Sequence, residues 1–361
     1  MHVRWWIGAL CLAAVVACTW LVLRDFRPAS GPDAQEMSAP GHSTPDSLPD
    51  GFPVVPAPLD TPPEDSCAFP PAPFAPVQSR FDLPIRQEHV SPEVARVVGL
   101  HDRGASLRAR AEALSSLDGS LSEDDALALI DFLHVPPEDA PLLSWNALKN
   151  NVVNRMLDDA EIWPQLGMAM SEMLLDSNLD EGWRDYVAQF MPAVAGRFRR
   201  GDVHPVTGID ERAVHAELLS AWWAATDETR GSIAGAAILG LFRHASIAPE
   251  DVDAVAVADK AVELAEASAA SVLTRIHALQ VAADAGDRRA LPVARRLAMR
   301  PPTALQRSAV AALGTLGGAE EAALLRKLTE DQGTFAALAP AIDSALKRIA
   351  EREGSRNGCE R

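Results

Sequence analysis

The 361-residue sequence has one tyrosine and four cysteines, and both scarcities narrow its reading. No two cysteines stand in a C-x-x-C or other ligand spacing, which removes zinc-ribbon and dithiol-redox chemistry. H-E-x-x-H, G-x-S-x-G, the P-loop and G-x-G-x-x-G are missing as well. No catalytic residue, cofactor or metal ligand is therefore expected, and the chain reads as a non-enzyme. Period-two alternation of β-branched and aromatic residues is absent over any useful length, which excludes a strand-rich fold. Basic charge is in deficit, with 33 Lys and Arg against 50 Asp and Glu. The net charge of −17 disfavours attraction of the whole molecule to nucleic acid or anionic lipid.

What is present begins with an uncharged run, residues 5–23, flanked by Arg4 and by Arg24 and Arg27. At about 1.5 Å per residue it spans roughly 28 Å, close to a bilayer's hydrocarbon core. Trp5, Trp6 and Trp20 stand near its ends, as interfacial aromatics do. The first reading is an uncleaved signal anchor over 1–24, a single transmembrane helix. A cleaved secretory signal is the second reading, since Val15, Val16 and Ala17 precede Cys18. The same four residues resemble a bacterial lipoprotein box, which would make Cys18 a lipidated terminus. All three readings place the rest of the chain outside the cytoplasm, in the periplasm of a Gram-negative cell.

Residues 25–88 read as a disordered linker. Fifteen of the 27 prolines lie between Pro28 and Pro84, and this density forbids helices and sheet ladders. Cys67 falls here and Cys359 at the far end, so a Cys67–Cys359 bridge is a chemical option without geometric support.

From Ser91 the composition turns to Ala, Leu, Arg and Glu at helical spacing. Roughly a dozen amphipathic segments separated by Gly, Pro and Asp turns predict an all-α domain over 89–354, with a flexible tail at 355–361. The segment 303–329 is the clearest. Leu305, Ala309, Ala312, Leu313 and Leu316 share one helix face, Thr303 and Gln306 read as a capping box, and Gly317-Gly318 as a left-handed stop. A second helix is expected to bury Ala323, Leu324, Leu325 and Leu328. Pro192 suggests a kink or break within 180–200, and Pro340 a fresh start. The last helix is expected to end at Ile349.

An offset of 31 residues lays Gly286-Asp287 on Gly317-Gly318 and Val293-Ala-Arg-Arg-Leu297 on Leu324-Leu-Arg-Lys-Leu328. With Thr274-Arg-Ile-His-Ala-Leu-Gln280 and Gln306-Arg-Ser-Ala-Val-Ala-Ala-Leu-Gly-Thr-Leu-Gly317, these residues resemble the HEAT repeat. The nearest form is the short one also seen in phycobilin lyases. The match covers about 271–352; its period is shorter than that of most HEAT arrays. The resemblance implies an α-solenoid of antiparallel helix pairs that binds protein.

Two features are candidate binding residues. Arg275, Arg288, Arg289, Arg295, Arg296, Arg300 and Arg307 give a local charge of +5 against Asp284 and Asp287, a ridge suited to an acidic partner segment. Trp222 and Trp223 are neighbours about 100° apart on a helix, so one of them is expected to be exposed. His204, His215, His244 and His277 look scattered. His215-Ala-Glu217 is a zinc-deaminase fragment without its cysteine pair, so His215 is expected on a helix surface or boundary.

The leading expectation is a membrane-tethered HEAT-like scaffold that binds protein outside the cytoplasm. A bilin-lyase-like enzyme and a structural envelope protein without a specific partner are the alternatives.

Overall fold

Ser91, Ser106 and Ser122 each start a helix. Their hydroxyls accept hydrogen bonds from the amides of Val94, Ala109 and Asp125 at 3.4, 3.2 and 3.2 Å, satisfying one of the donors a helix start leaves orphaned. Asp180, Asp210, Asp253 and Ser271 cap later helices in the same way. The computed structural model describes residues 87–359, apart from 103, 138–139 and 331–335. Chain contacts divide at residue 75, and the described residues all belong to the second unit, 75–361. The anchor, the linker as far as residue 86, Cys18 and Cys67 lie outside them; Gln87 and Glu88, expected as linker, belong to a short 3-10 turn, Gln87–His89.

Among the described residues there are fourteen α-helices and no strand, with one isolated bridge between Ile162 and Val203. In order they are α1 (Pro92–Val98), α2 (Leu107–Ser115), α3 (Glu123–His134), α4 (Leu142–Leu157), α5 (Pro164–Leu175), α6 (Glu181–Arg200) and α7 (Glu211–Ala224). Then follow α8 (Ile233–Ile247), α9 (Ala254–Glu266), α10 (Val272–Asp284), α11 (Leu291–Ala298), α12 (Thr303–Leu316), α13 (Ala319–Glu330) and α14 (Ala339–Cys359). None of these is long and apolar enough to cross a membrane.

Each odd-numbered helix packs on the even-numbered helix that follows it, and each even helix packs on the next even one from α2 to α14. The odd helices pack closely in succession as far as α7; beyond it they rest chiefly on the even layer and are joined to one another by ion pairs. Two layers and seven pairs result, an arrangement compatible with an α-solenoid. One continuous core runs between the layers, from Val94 through Trp183 and Leu241 to Ile349. Glycine permits the closest crossings. A Cβ on Gly235 would stand 2.7 Å from the Cα of Thr274, and one on Gly314 2.7 Å from the Cα of Ala345.

Polar stitches join successive pairs. The Asp125 carboxylate accepts from the Ser91 amide at 2.7 Å, Asp159 from the Leu121 amide at 3.1 Å, and Asp180 from the Asn146 amide group at 2.6 Å. At the ends of even helices, arginine takes over. Arg155 on α4 donates to the carbonyls of Leu117 and Gly119 beyond α2. Arg197 on α6 donates to those of Leu157, Asp159 and Ala160 beyond α4. Arg352 on α14 donates to those of Gly314, Thr315 and Gly317 at the end of α12. These carbonyls have no partner within their own helix.

Several sequence expectations need correction. The segment 303–329 is not one packing unit: α12 packs chiefly on α11, α10 and α14, while α13 packs on α14, so the true pair is offset by one helix. Thr303 is the first helical residue rather than the cap, because extended Pro302 already supplies the cap conformation; the Gln306 side chain instead donates to the Ala298 carbonyl at 3.3 Å. Gly317 is extended (φ −76°, ψ 173°), not left-handed. It is needed for space, since a Cβ there would crowd Glu321 at 2.5 Å. On α13 the buried stripe is Glu321, Ala322, Leu325 and Leu328; Ala323 is exposed and Leu324 only half-buried. The helix carrying Pro192 runs unbroken to Arg200. Finally, α14 continues past Ile349 through the expected tail to Cys359, and Arg352 fastens this extension to α12. Pro340 starts the last helix, as its sequence position indicates.

Candidate functional site

The arginines of 275–307 do not form an open cationic ridge. Arg289 pairs with Asp287 and reaches Asp259 on α9, and Arg296 reaches Glu266 on α9 at 3.1 Å. Arg295 binds Glu320 at 2.8 Å and also Glu321, both on α13. Burial pushes the Glu321 carboxyl up, but the Gly318 amide and the Arg295 guanidinium outweigh it and hold the group below the usual range. Half-buried Arg275 donates to the Ala265 carbonyl at 3.1 Å, and burial together with Arg296 lowers its pKa. Arg289, just before α11, and Arg295 and Arg296 on α11 therefore tie it to α9 and α13, one repeat away on either side, while Arg275 joins α10 to α9 within one pair. Arg288, Arg300 and Arg307 are exposed and make no ion pair with a described residue.

The tryptophan pair divides cleanly. Trp222 is 0 % exposed and Trp223 is 36 % exposed. Trp223 is one of a series that sequence spacing did not reveal. Large apolar side chains stand exposed at five successive turns from an odd to an even helix: Val135, Leu142 and Leu143; Leu175; Trp223; Val272 and Leu273; Met299. Leu143 is the most open, at 82 %. Because helices alternate in direction, all five turns lie on the same edge of the stack. Contacts between neighbouring turns agree, as Arg230 in the α7–α8 turn donates to the Ser177 carbonyl in the α5–α6 turn at 3.3 Å. The row opens at its N-terminal end on a cleft of about 680 Å³ between Val98, Leu107, Arg110, Val135, Pro141 and Trp145. Among the described residues, only Ile247 and Val255 of the exposed large apolar residues lie on the opposite edge, at the α8–α9 turn. The signal available in sequence was positional: apolar residues next to turn residues, once per helix pair.

The histidines are less scattered than they look. His215 on α7, His244 at the end of α8 and Asp251 in the α8–α9 turn bring their ligand atoms within 4.8 Å of one another. The His244 Nε2 lies 2.9 Å from an Asp251 oxygen and the His215 Nε2 3.8 Å from the same oxygen. Burial lowers the His215 pKa, with His244 and Arg199 adding to it against the pull of Asp251. His215 and His244 are about one repeat apart in sequence, and that offset was the clue to their meeting. His204 stands apart, stacked on Trp163 at 4.3 Å. His277, on α10, also belongs to neither group.

No protein-family model matches the sequence, and no curated protein matches it either. Among solved structures, human deoxyhypusine hydroxylase in complex with glycerol is similar over 72 % of this chain and 96 % of its own, at 16 % identity and a TM-score of 0.29.

Proposed function

We propose that the folded unit is a HEAT-like α-solenoid that holds a segment of a partner protein along its odd-to-even edge and does no chemistry itself. The observation that carries this reading is the row of exposed apolar side chains at five successive turns. Isolated exposed apolar residues are ordinary, whereas alignment on one edge marks an interaction surface. Neighbouring helices lie about 10 Å apart, so the row extends roughly 40 Å, the length of about twelve extended residues. Arg300 and Arg307 adjoin the row at Met299, which suits a segment that is apolar with an acidic end. Residues 1–86 complete the reading by their sequence alone, as an anchor and spacer that set the scaffold off a membrane outside the cytoplasm.

The test starts from proximity labelling in intact cells and continues with capture of the labelled partner. Leu143→Asp and Leu273→Asp should each weaken capture about tenfold or more, with unfolding free energy changed by no more than about 0.5 kcal/mol. Arg300→Glu with Arg307→Glu should weaken it further and in a salt-dependent way. Arg295 is a poor choice for charge reversal, because it would leave buried Glu321 facing a second carboxylate. Capture at full strength by Leu143→Asp/Leu273→Asp would remove the edge as the binding surface. Diffuse labelling with no discrete partner would favour the structural envelope role.

A further inference from the structure

We propose that His215, His244 and Asp251 form a binding site for a divalent first-row transition ion of the zinc class, at the edge opposite the apolar row. His244 and Asp251 come together at the end of α8 and the turn after it, and His215 reaches them from α7, about 30 residues earlier, so no local turn chemistry accounts for its place there. Two imidazoles and one carboxylate are a ligand set that such ions take, and one that magnesium and calcium do not favour.

Two of the three ligand separations are near those of a loaded site. Ligands about 2 Å from a tetrahedral ion are roughly 3.3 Å apart. The observed separations from the Asp251 oxygen, 2.9 Å to His244 and 3.8 Å to His215, bracket this value. The His215 Nε2 is buried and makes no hydrogen bond, so a donor atom already points into the cluster with nothing to coordinate. Both rings are held in place. His215 stacks on Phe198, with planes 3° apart and centroids 6.1 Å apart, and His244 packs edge-on to Trp222 at 5.8 Å. Arg199, whose charge acts on the His215 ring, is itself paired with Glu250 at 2.6 Å. Binding through Nε2 would take the place of the His244–Asp251 hydrogen bond. Three protein ligands leave room for at least one water.

The site also has a mechanical consequence. An ion held there fastens the α8–α9 turn to α7, at the point in the array where the close packing of odd helix on odd helix ends. Metal binding to the native state alone raises stability by mass action.

The experiment uses the full chain, stripped by chelator and with its cysteines alkylated, titrated with Zn²⁺ by calorimetry and with Co²⁺ by visible absorption. One equivalent should bind, with d–d bands for Co²⁺ and a raised Tm. His215→Gln and Asp251→Asn should each weaken binding at least about tenfold and abolish the Tm shift, while His277→Gln behaves as wild type. Circular dichroism confirms that each variant is folded; if Asp251→Asn unfolds, His215→Gln decides alone. Absence of binding, or binding of equal strength in the His215 and His277 variants, overturns the site.

Discussion

Trp222→Ala lowers the unfolding free energy by about 3–5 kcal/mol, whereas Trp223→Ala changes it by about 0.5 kcal/mol or less. The two residues are identical and adjacent, so the contrast isolates burial. Trp222 is among the largest fully buried side chains of the protein, set where α7 meets α8. Its ring fills the space that Gly240 leaves by having no Cβ, and it meets the edge of His244. Alanine there opens a cavity that two helices cannot close without moving their backbones. Trp222→Phe should recover most of the loss, because the indole N–H is buried without a partner and its removal costs nothing. Urea unfolding of the three variants measures this. Equal losses for Trp222→Ala and Trp223→Ala would contradict the assignment.

Lys149→Met should stabilise the protein at pH 6, by up to about 4 kcal/mol, and the gain should vanish as pH rises to about 10.5. Lys149 is 2 % exposed on α4, its ammonium 5.1 Å from the Trp183 ring. Burial pushes its pKa down to about 7, with Asp180 pulling weakly the other way. Nearby His134 is likewise lowered, by burial and by Lys149, against Asp176. The direction follows from proton counting. Between pH 7 and the ordinary lysine value near 10.4, the unfolded chain binds a proton that the folded chain has released, so wild-type stability rises with pH across that window. Below pH 7 both states are protonated and the cost of the buried charge is fully present. Methionine keeps the shape and removes the charge. Denaturant midpoints of both proteins at pH 6, 8 and 10 give the difference curve. A constant difference would show that Lys149 is not the titrating group.

Much of this was legible in the sequence, for reasons that mark where legibility stops. Serine and aspartate caps, apolar spacing and Pro-Pro breaks located almost every helix, because those signals act within a turn or two of chain. Pairing was not legible from 303–329: α12 and α13 are adjacent in sequence, yet α12 pairs with α11 before it and packs on α10 and α14, whose faces are some 30 residues away. The same distance hid the arginine pairs. Arg289, Arg295 and Arg296 read as a ridge because Asp259, Glu266 and Glu321, which neutralise them, belong to neighbouring repeats. His215, His244 and Asp251 were missed on the same ground. A period applied to charged and imidazole side chains, and not to leucines alone, would have found both groups.

The arginine stitches give the array a direction. Arg155, Arg197 and Arg352 each complete the end of the even helix before them, never the one after. A repeat so joined keeps bare carbonyls until its successor is in place. During synthesis, these helix ends wait for chain that has yet to emerge, and they close in the order in which the ribosome delivers them. Removing α14 would accordingly damage α12 beyond the loss of its packing, whereas removing α1 would leave every one of these closures intact.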